Sequence, residues 1–209
     1  MTKKKIVVIG AGVSGLLCGK RLTEAGHSVL LIDKGRNIGG RLSTRRTNGA
    51  IFHHGASSLP DFNKHRDLPK FGFEIFKRAE QEKIIQPKGN LFEPVRSVSD
   101  LVSYFAKKLK IQQGCEATSL DLQNKTVDVK FRDDSTKRIP YGILIISIPP
   151  NQAKTIINNQ IYRFENCLSE VEMRSCAAAL FSFYLKPENV TETHFCNEKV
   201  EVQVENNRF

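Results

Sequence analysis

The stretch that most limits what this chain can become is residues 5–41, KIVVIGAGVSGLLCGKRLTEAGHSVLLIDKGRNIGGR. An apolar run of β type, residues 6–9, leads into Gly10, Gly12 and Gly15, spaced G-x-G-x-x-G. A helical pattern follows, with Val13, Leu16, Leu17 and Leu22 on or near one face. A second apolar run, residues 29–32, ends on Asp33. Strand, glycine turn, helix, strand and terminal acid, in this order, describe a dinucleotide-binding βαβ unit. Each part has a physical task. Gly10 permits a tight turn off the first strand, Gly12 lets the backbone approach a pyrophosphate with no Cβ in the way, and Gly15 lets the helix lie close to the strand. The free N–H groups of the helix start, around Ala11, Val13 and Ser14, face the phosphates together with the positive end of the helix dipole. The Ser14 hydroxyl is a further donor there, and Asp33 accepts hydrogen bonds from a ribose diol.

The residues after Asp33 choose among dinucleotides. Lys34 leads through Gly35, Arg36, Asn37 and Ile38 to Gly39, Gly40 and Arg41, a second glycine pair capped by a cation. A plain nicotinamide-binding unit has no need of it. A ligand with a longer phosphate-to-ring linker, FAD, uses a second close backbone approach and a guanidinium beside its pyrophosphate. The rival is NADP, whose 2′-phosphate Lys34 and Arg36 could hold, although Asp33 would repel it. The expected cofactor is FAD, with Lys34, Gly39, Gly40 and Arg41 in its site.

With its acid and GGR, the segment resembles the start of the flavin amine oxidase superfamily. The wording DKGRNIGGRLSTRR followed by HHGA is similar to the renalase-like branch of FAD-dependent oxidoreductases. The resemblance implies an α/β fold: a Rossmann-like FAD-binding domain built on the GxGxxG βαβ unit, with an inserted and incomplete α+β substrate domain. Residues 1–50 and 95–160 would form the FAD-binding domain, and residues 51–94 and 161–209 the partial substrate domain. It also implies that His54, Gly55 and Ala56 lie beside the flavin ring. The Gln and aromatic that usually follow in the family are replaced by Ser57, Ser58 and Leu59, so backbone placement rather than substrate contact is carried over. Ala117 would touch adenine through its backbone, and Ser147 would close an apolar strand near the cofactor.

Composition sets outer bounds. A hydrophobic fraction of 40% with 8% aromatics suits a globular protein with a real core. The net charge of +10 raises nucleic acid or a membrane surface as partners. The cations are scattered, however, in short clusters such as residues 3–5, 45–46 and 107–108, and no basic stripe is interleaved with aromatics to stack bases. Neither a nucleic-acid nor a membrane partner is expected; the charge reads as solvated surface, part of it attracting a dianionic cofactor. Cys18, Cys115, Cys167, Cys176 and Cys196 are dispersed and form no C-x-x-C, so no metal site or disulfide framework is expected, and the thiols fit a reducing cytoplasm. Cys18 reads as a small buried residue on the helix face toward the sheet. No stretch is long enough to span a bilayer.

Along the rest of the chain the pattern predicts two short strands within residues 42–58 and a helix after Pro60 with Phe71, Ile75, Phe76 and Ala79 inward. A hairpin follows around Lys88, Gly89 and Asn90. A helix over residues 97–109 is capped by Ser97 or Ser99. Strands are predicted over residues 111–113, 116–123 and 126–131. Residues 141–148, almost wholly apolar, read as a central parallel strand buried on both faces. Helices over 151–158 and 165–173 and strands over 176–185 and 199–204 complete the reading.

No acid–base or nucleophilic constellation is visible, and there is no G-x-S-x-G. That suits a flavin enzyme, in which the cofactor carries the chemistry. The expected function is an FAD-dependent oxidoreductase whose flavin accepts a hydride from a small reduced substrate, an amine or a reduced nicotinamide, with NAD(P)H as a candidate partner. The family resembled continues through more strands to a second glycine–acid motif, which is not found after Leu185. The chain therefore reads as the first part of a full enzyme: a fragment, a natural short form, or half of a split protein completed by a second chain. The alternative expectation is a truncated or split module that binds FAD or NAD(P) without turnover of its own.

Overall fold

Four apolar residues in succession, Ile6, Val7, Val8 and Ile9, place β1 (Lys5–Ile9) at the heart of the fold, and all four are buried. α1 (Val13–Glu24) and β2 (Ser28–Asp33) complete the βαβ unit read from the sequence. The computed structural model describes residues 4–42, 44–47, 50–53, 55–64, 70–158, 160 and 167–173. These all lie in one compact unit, Met1–Cys176.

After β2 the chain forms β3 (Thr44–Thr47) and β4 (Ala50–His53), an antiparallel pair in which Thr44 faces His53. β5 (Leu59–Pro60), α2 (Lys70–Gln81), β6 (Ile85–Lys88) and β7 (Leu91–Pro94) follow. β7 lies between β5 and β6 in a small antiparallel sheet, and Gly89, at φ +58°, turns the β6–β7 hairpin. α3 (Val98–Ala106) and β8 (Lys110–Gln113) come next. Then come β9 (Cys115–Asp121), β10 (Thr126–Phe131), β11 (Thr136–Pro140), β12 (Ile143–Ile146) and α4 (Pro150–Ile157).

The main sheet is parallel, in the order β12-β1-β2-β8. Alternation along its strands feeds two cores. Ile6, Val8, Val29, Leu31 and Ile145 face one way, toward α1, α3 and an aromatic group from α2 and the small sheet. In that group Phe62 stacks on Phe92 with centroids 4.3 Å apart, while Phe76 meets Phe105 edge-on. Val7, Ile9, Ile32 and Ile146 face the other way, toward α4 and the antiparallel sheet β11-β10-β9. The apolar interior of residues 59–92 is thus continuous with one face of the nucleotide-type sheet.

Several expectations are corrected. β12 is parallel but forms the edge of the main sheet among the described residues, not its centre, because β1 and β2 are the strands with a neighbour on each side. Both faces of β12 are covered, yet its open flank leaves it half-buried, with Ile143 38% exposed. α3 ends at Ala106, short of Leu109. Lys107 leaves the helix and Lys108 takes φ +68° to turn the chain into β8. β9 stops at Asp121, whose carboxylate accepts from the backbone N–H and the side-chain amide of Asn124 and so forms the turn. β11 falls where no strand was predicted; its single buried residue, Ile139, pairs with Val127. The helix predicted over 165–173 is helical at residues 167–169 and not at 171–173. The strands predicted over 176–185 and 199–204 lie outside the described residues. No helix among the described residues is long and apolar enough to cross a membrane.

Candidate dinucleotide-binding site

The C-terminal ends of β1, β2 and β12 open into a cleft of about 770 Å³. The turn after β1 shapes it. Gly10 sits at φ +101°, and a Cβ there would lie 2.6 Å from the Ser147 carbonyl oxygen. A Cβ on Gly15 would collide with the Gly10 carbonyl. Gly12 differs from both. It has φ −71° and ψ 176°, and a Cβ on it would meet nothing within 4 Å. The fold itself needs Gly10 and Gly15 to be glycine, whereas the space at Gly12 belongs to the cleft.

Gly12 caps α1, with no side-chain cap and no acidic residue in the first turn. The first N–H groups of α1 are therefore left for a ligand, and the helix dipole makes them attractive to an anion. Asp33, half-buried at the end of β2, accepts a 2.6 Å hydrogen bond from the Ala11 N–H on Oδ2 and a 2.7 Å bond from the Gly35 N–H on Oδ1. A carboxylate has about four lone-pair sites, so it retains capacity for a diol.

The second glycine pair lies directly against the first turn. The Gly39 N–H donates to the Ala11 carbonyl at 2.9 Å, and Gly12 and Gly39 form a parallel bridge. Gly39 has φ +112° and Gly40 has φ +56°. A Cβ on Gly39 would press on Val102 and the Leu42 carbonyl, and one on Gly40 would lie 3.2 Å from the Gly12 Cα. The Ala56 N–H donates to the Arg41 carbonyl at 2.9 Å, which ties residue 56 to the cleft. Ser147 is held by its N–H on the Ile9 carbonyl at 2.7 Å, and its Oγ is buried without a hydrogen-bond partner among the described residues.

Of the residues named from the sequence, Gly10, Gly12, Val13, Ser14, Asp33, Lys34, Gly39, Gly40, Arg41, Ala56, Ala117 and Ser147 line this one cleft. Ala11 and Gly15 are buried behind it and shape the turn. Gly55 is adjacent but not part of the lining, and His54 lies outside the described residues.

Sequence reasoning missed Cys115, Pro149, Pro150 and Gln152, which also line the cleft. Cys115 could have been found two residues before Ala117 on the same strand face. Cys18 was placed wrongly. It stands four residues after Ser14, hence on the cleft side of α1, and it lines the cleft. Gly19 is the residue that meets the sheet, where a Cβ would lie 2.9 Å from Leu31.

Neither cysteine of the cleft is an activated nucleophile. Burial pushes the Cys18 thiol up, and burial does the same for Cys115 against a smaller opposing pull from Lys137; thiols of that kind stay protonated and inert near neutral pH. Lys34 pairs with Glu116 at 3.8 Å, both about half exposed, a weak surface contact. Among the described residues no cluster of His, Cys, Asp and Glu could hold a metal ion. What the arrangement offers is a main-chain cradle for phosphate, an acid for a diol, and room for an extended ligand.

Comparison with known proteins agrees with this geometry. Residues 8–71 match the family model of the NAD(P)-binding Rossmann-like domain. A 4,4′-diapophytoene desaturase (4,4′-diaponeurosporene-forming) of Staphylococcus haemolyticus is 34% identical over 114 residues, covering 54% of this chain and 22% of that protein. An L-amino-acid oxidase of Mus musculus is 44% identical over 69 residues, covering 32% of this chain and 11% of that protein. The matches therefore span only a small part of these relatives' length. The crystal structure of a protein assigned as a protoporphyrinogen oxidase from Exiguobacterium sp. 255-15 superposes with a TM-score of 0.51 at 11% identity, covering 76% of this chain and 62% of that one; the likeness is one of fold. The chain has a Rossmann-like α/β fold built on the Gly10–Gly15 turn, it matches the NAD(P)-binding Rossmann-like model over residues 8–71, and part of it is similar in sequence to part of a desaturase and of an L-amino-acid oxidase.

Proposed function

We propose that the cleft is the FAD site of an oxidoreductase of the flavin amine oxidase type. The observation that carries this reading is the Gly39–Gly40 turn hydrogen-bonded to the Gly10–Gly15 turn. It provides two glycine approaches on one wall, more than a single pyrophosphate turn requires. The donor set fits the cofactor. The uncapped start of α1 would receive the pyrophosphate, Asp33 would hold the adenosine ribose, Ala117 would border the adenine, and Arg41 would counter the phosphate charge. Ala56 and the unpartnered Ser147 hydroxyl would face the remainder of the ligand. When bound, FAD would supply the acceptor for a hydride from a small reduced substrate. The chain's own residues bind, orient and exclude water, and no side chain here is required as acid or base.

The similarity of DKGRNIGGRLSTRR and HGA to the renalase-like branch supports narrowing the substrate to an amine or a reduced nicotinamide, with NAD(P)H as a candidate electron donor in the cytoplasm. A second reading, a module that holds a dinucleotide without turnover and is completed by a second chain, is favoured by the flank of β12, which no strand among the described residues pairs.

The test is the visible absorption spectrum of the purified chain before and after addition of FAD, with NADPH titrated in parallel. A retained flavin spectrum that bleaches anaerobically with a reduced substrate is the expected result. A flavin that binds but never bleaches supports the second reading. A chain that takes up NADPH and no FAD overturns the FAD assignment.

A further inference from the structure

A second cleft, of about 900 Å³, lies on the other side of the segment 35–42. Among the described residues it shares Gly40 and Leu42 alone with the dinucleotide cleft. Its lining is of a different kind: Arg36, Arg45 and Arg46, the hydroxyl residues Thr44, Ser99 and Ser103, and the amides Asn37 and Gln113, with Asp100 as its one carboxylate among the described residues. Thr44 and Arg46 are two apart on β3 and so share a face. Asp100 is already engaged, accepting from the Ser97 hydroxyl at 2.8 Å. Among the described residues none of the three arginines forms an ion pair.

We propose that this cleft binds a phosphate group, held by Arg36 and Arg46 with Arg45 at the rim. The inference is independent of the FAD assignment. Arg46 is set in place before any ligand arrives. Its Nη2 donates to the Ser99 Oγ at 3.0 Å, and Ser99 in turn is 2.8 Å from the Ser97 Oγ. One such contact uses one of the five guanidinium donors and leaves the rest of the fork for an oxyanion. Guanidiniums gathered in a concave surface repel one another when it is empty and are relieved by an anion. Thr44 is paired with His53 Nδ1 and Ser99 with Arg46 and Ser97, so the neutral donors left for a tetrahedral oxyanion are the Ser103 hydroxyl and the Asn37 and Gln113 amides. The start of α3 is capped by its own Ser97 and is not the source of the attraction.

The experiment is calorimetric titration of the full chain at low ionic strength, with inorganic phosphate in one arm and adenosine 2′-monophosphate in the other. One saturable site that persists when FAD fills the dinucleotide cleft is expected, weakened about tenfold by Arg36→Gln and by Arg46→Gln, the loss of one charge-assisted contact. Ser99→Ala, which releases Arg46, should weaken it by less. Gly12→Val, which blocks the other cleft, should leave it unchanged, as should saturation of that cleft with FAD. Tighter binding of adenosine 2′-monophosphate than of phosphate would identify a nucleotide phosphomonoester as the ligand; equal binding would identify phosphate itself. Both arginines are exposed, so the variants should melt with the parent protein, which a thermal scan verifies. Absence of saturable uptake of either probe overturns the proposal. So does uptake that Gly12→Val abolishes while both arginine variants retain it.

Discussion

Gly12→Val separates folding from binding in this domain, and the structure sets both magnitudes. Gly12 occupies an ordinary region of backbone space, and a Cβ there touches nothing within 4 Å. Two small terms then act on stability. Valine is a poorer N-cap than glycine, at a cost of about 1 kcal/mol. Loss of glycine's freedom in the unfolded chain returns about 0.4–1 kcal/mol. The net change is near zero, a shift of no more than a few degrees in melting temperature. Binding should behave differently, because the valine side chain enters the cleft in front of the α1 N-terminus. Each phosphate–amide hydrogen bond lost is worth about 1.5–3 kcal/mol, so flavin affinity should fall at least tenfold, and a hundredfold if two are lost. Gly15→Ala is the control, since its Cβ would collide with the Gly10 carbonyl and the variant should fail to fold. The assay pairs a thermal melt with a flavin titration followed by absorbance. Retained flavin affinity in a folded Gly12→Val protein would refute the site. A fold as damaged as that of Gly15→Ala would refute the division of labour among the glycines.

Asp33→Ala should both weaken nucleotide binding and destabilise the empty protein by about 1–3 kcal/mol, because the N–H groups of Ala11 and Gly35 lose their acceptor; a denaturant midpoint equal to that of the parent would show these contacts to be idle. Phe62→Ala removes a 4%-exposed ring stacked on Phe92 and Phe76 and should cost about 3–5 kcal/mol in urea unfolding. A cost below about 1 kcal/mol would mean that the aromatic group can collapse into the space. Asp128 is held below its ordinary value first by the Arg138 guanidinium at 2.7 Å and then by the Ser119 hydroxyl. Its stabilising contribution is therefore complete above about pH 4 and fades as pH falls through the folded value. The stability gap between the parent and Asp128→Asn should accordingly shrink in acid, and a gap constant down to pH 2 would contradict the assignment.

What could be read from the sequence was what local sterics decide. Gly10 takes φ +101°, which only glycine adopts freely, and a Cβ on Gly15 would overlap the Gly10 carbonyl five residues back. Ser97 was legible as a cap because its partner, the Asp100 N–H, lies within the same helical turn. Lateral neighbours were not legible. An unbroken apolar run such as that of β12 shows that both faces are covered, but not whether a strand lies on each side. β11 was hidden for a related reason: only Ile139 is buried, and the strand is held by what lies across from it, Val127 and the Asp128–Arg138 pair. Cys18 was misjudged because a free cysteine ordinarily prefers burial, whereas Gly19 was the residue small enough to lie under Leu31. The second cleft showed in the sequence only as Arg36 and the Arg45–Arg46 pair and not as a site, because Arg46 and Ser99, 53 positions apart, meet only in the folded chain.

The walls of the dinucleotide cleft are braced by peptide groups. The Gly10 N–H reaches the Ile32 carbonyl, Gly39 reaches Ala11, Ala56 reaches Arg41, Gly114 reaches Gly35, and Ser147 reaches Ile9. A loop that had to be ordered on ligand arrival would forfeit about 1–2 kcal/mol of affinity per residue in lost backbone freedom. A wall already cross-tied forfeits little of this, so ligand uptake should be a single fast phase, linear in concentration, with no slow rearrangement after it. The same bracing loosens the demand on side chains. Exposed positions such as Lys34, Arg36 and Asn37 contribute their charge and shape to the two clefts without holding up the wall between them, so ligand preference on either side can drift while the scaffold stays as it is.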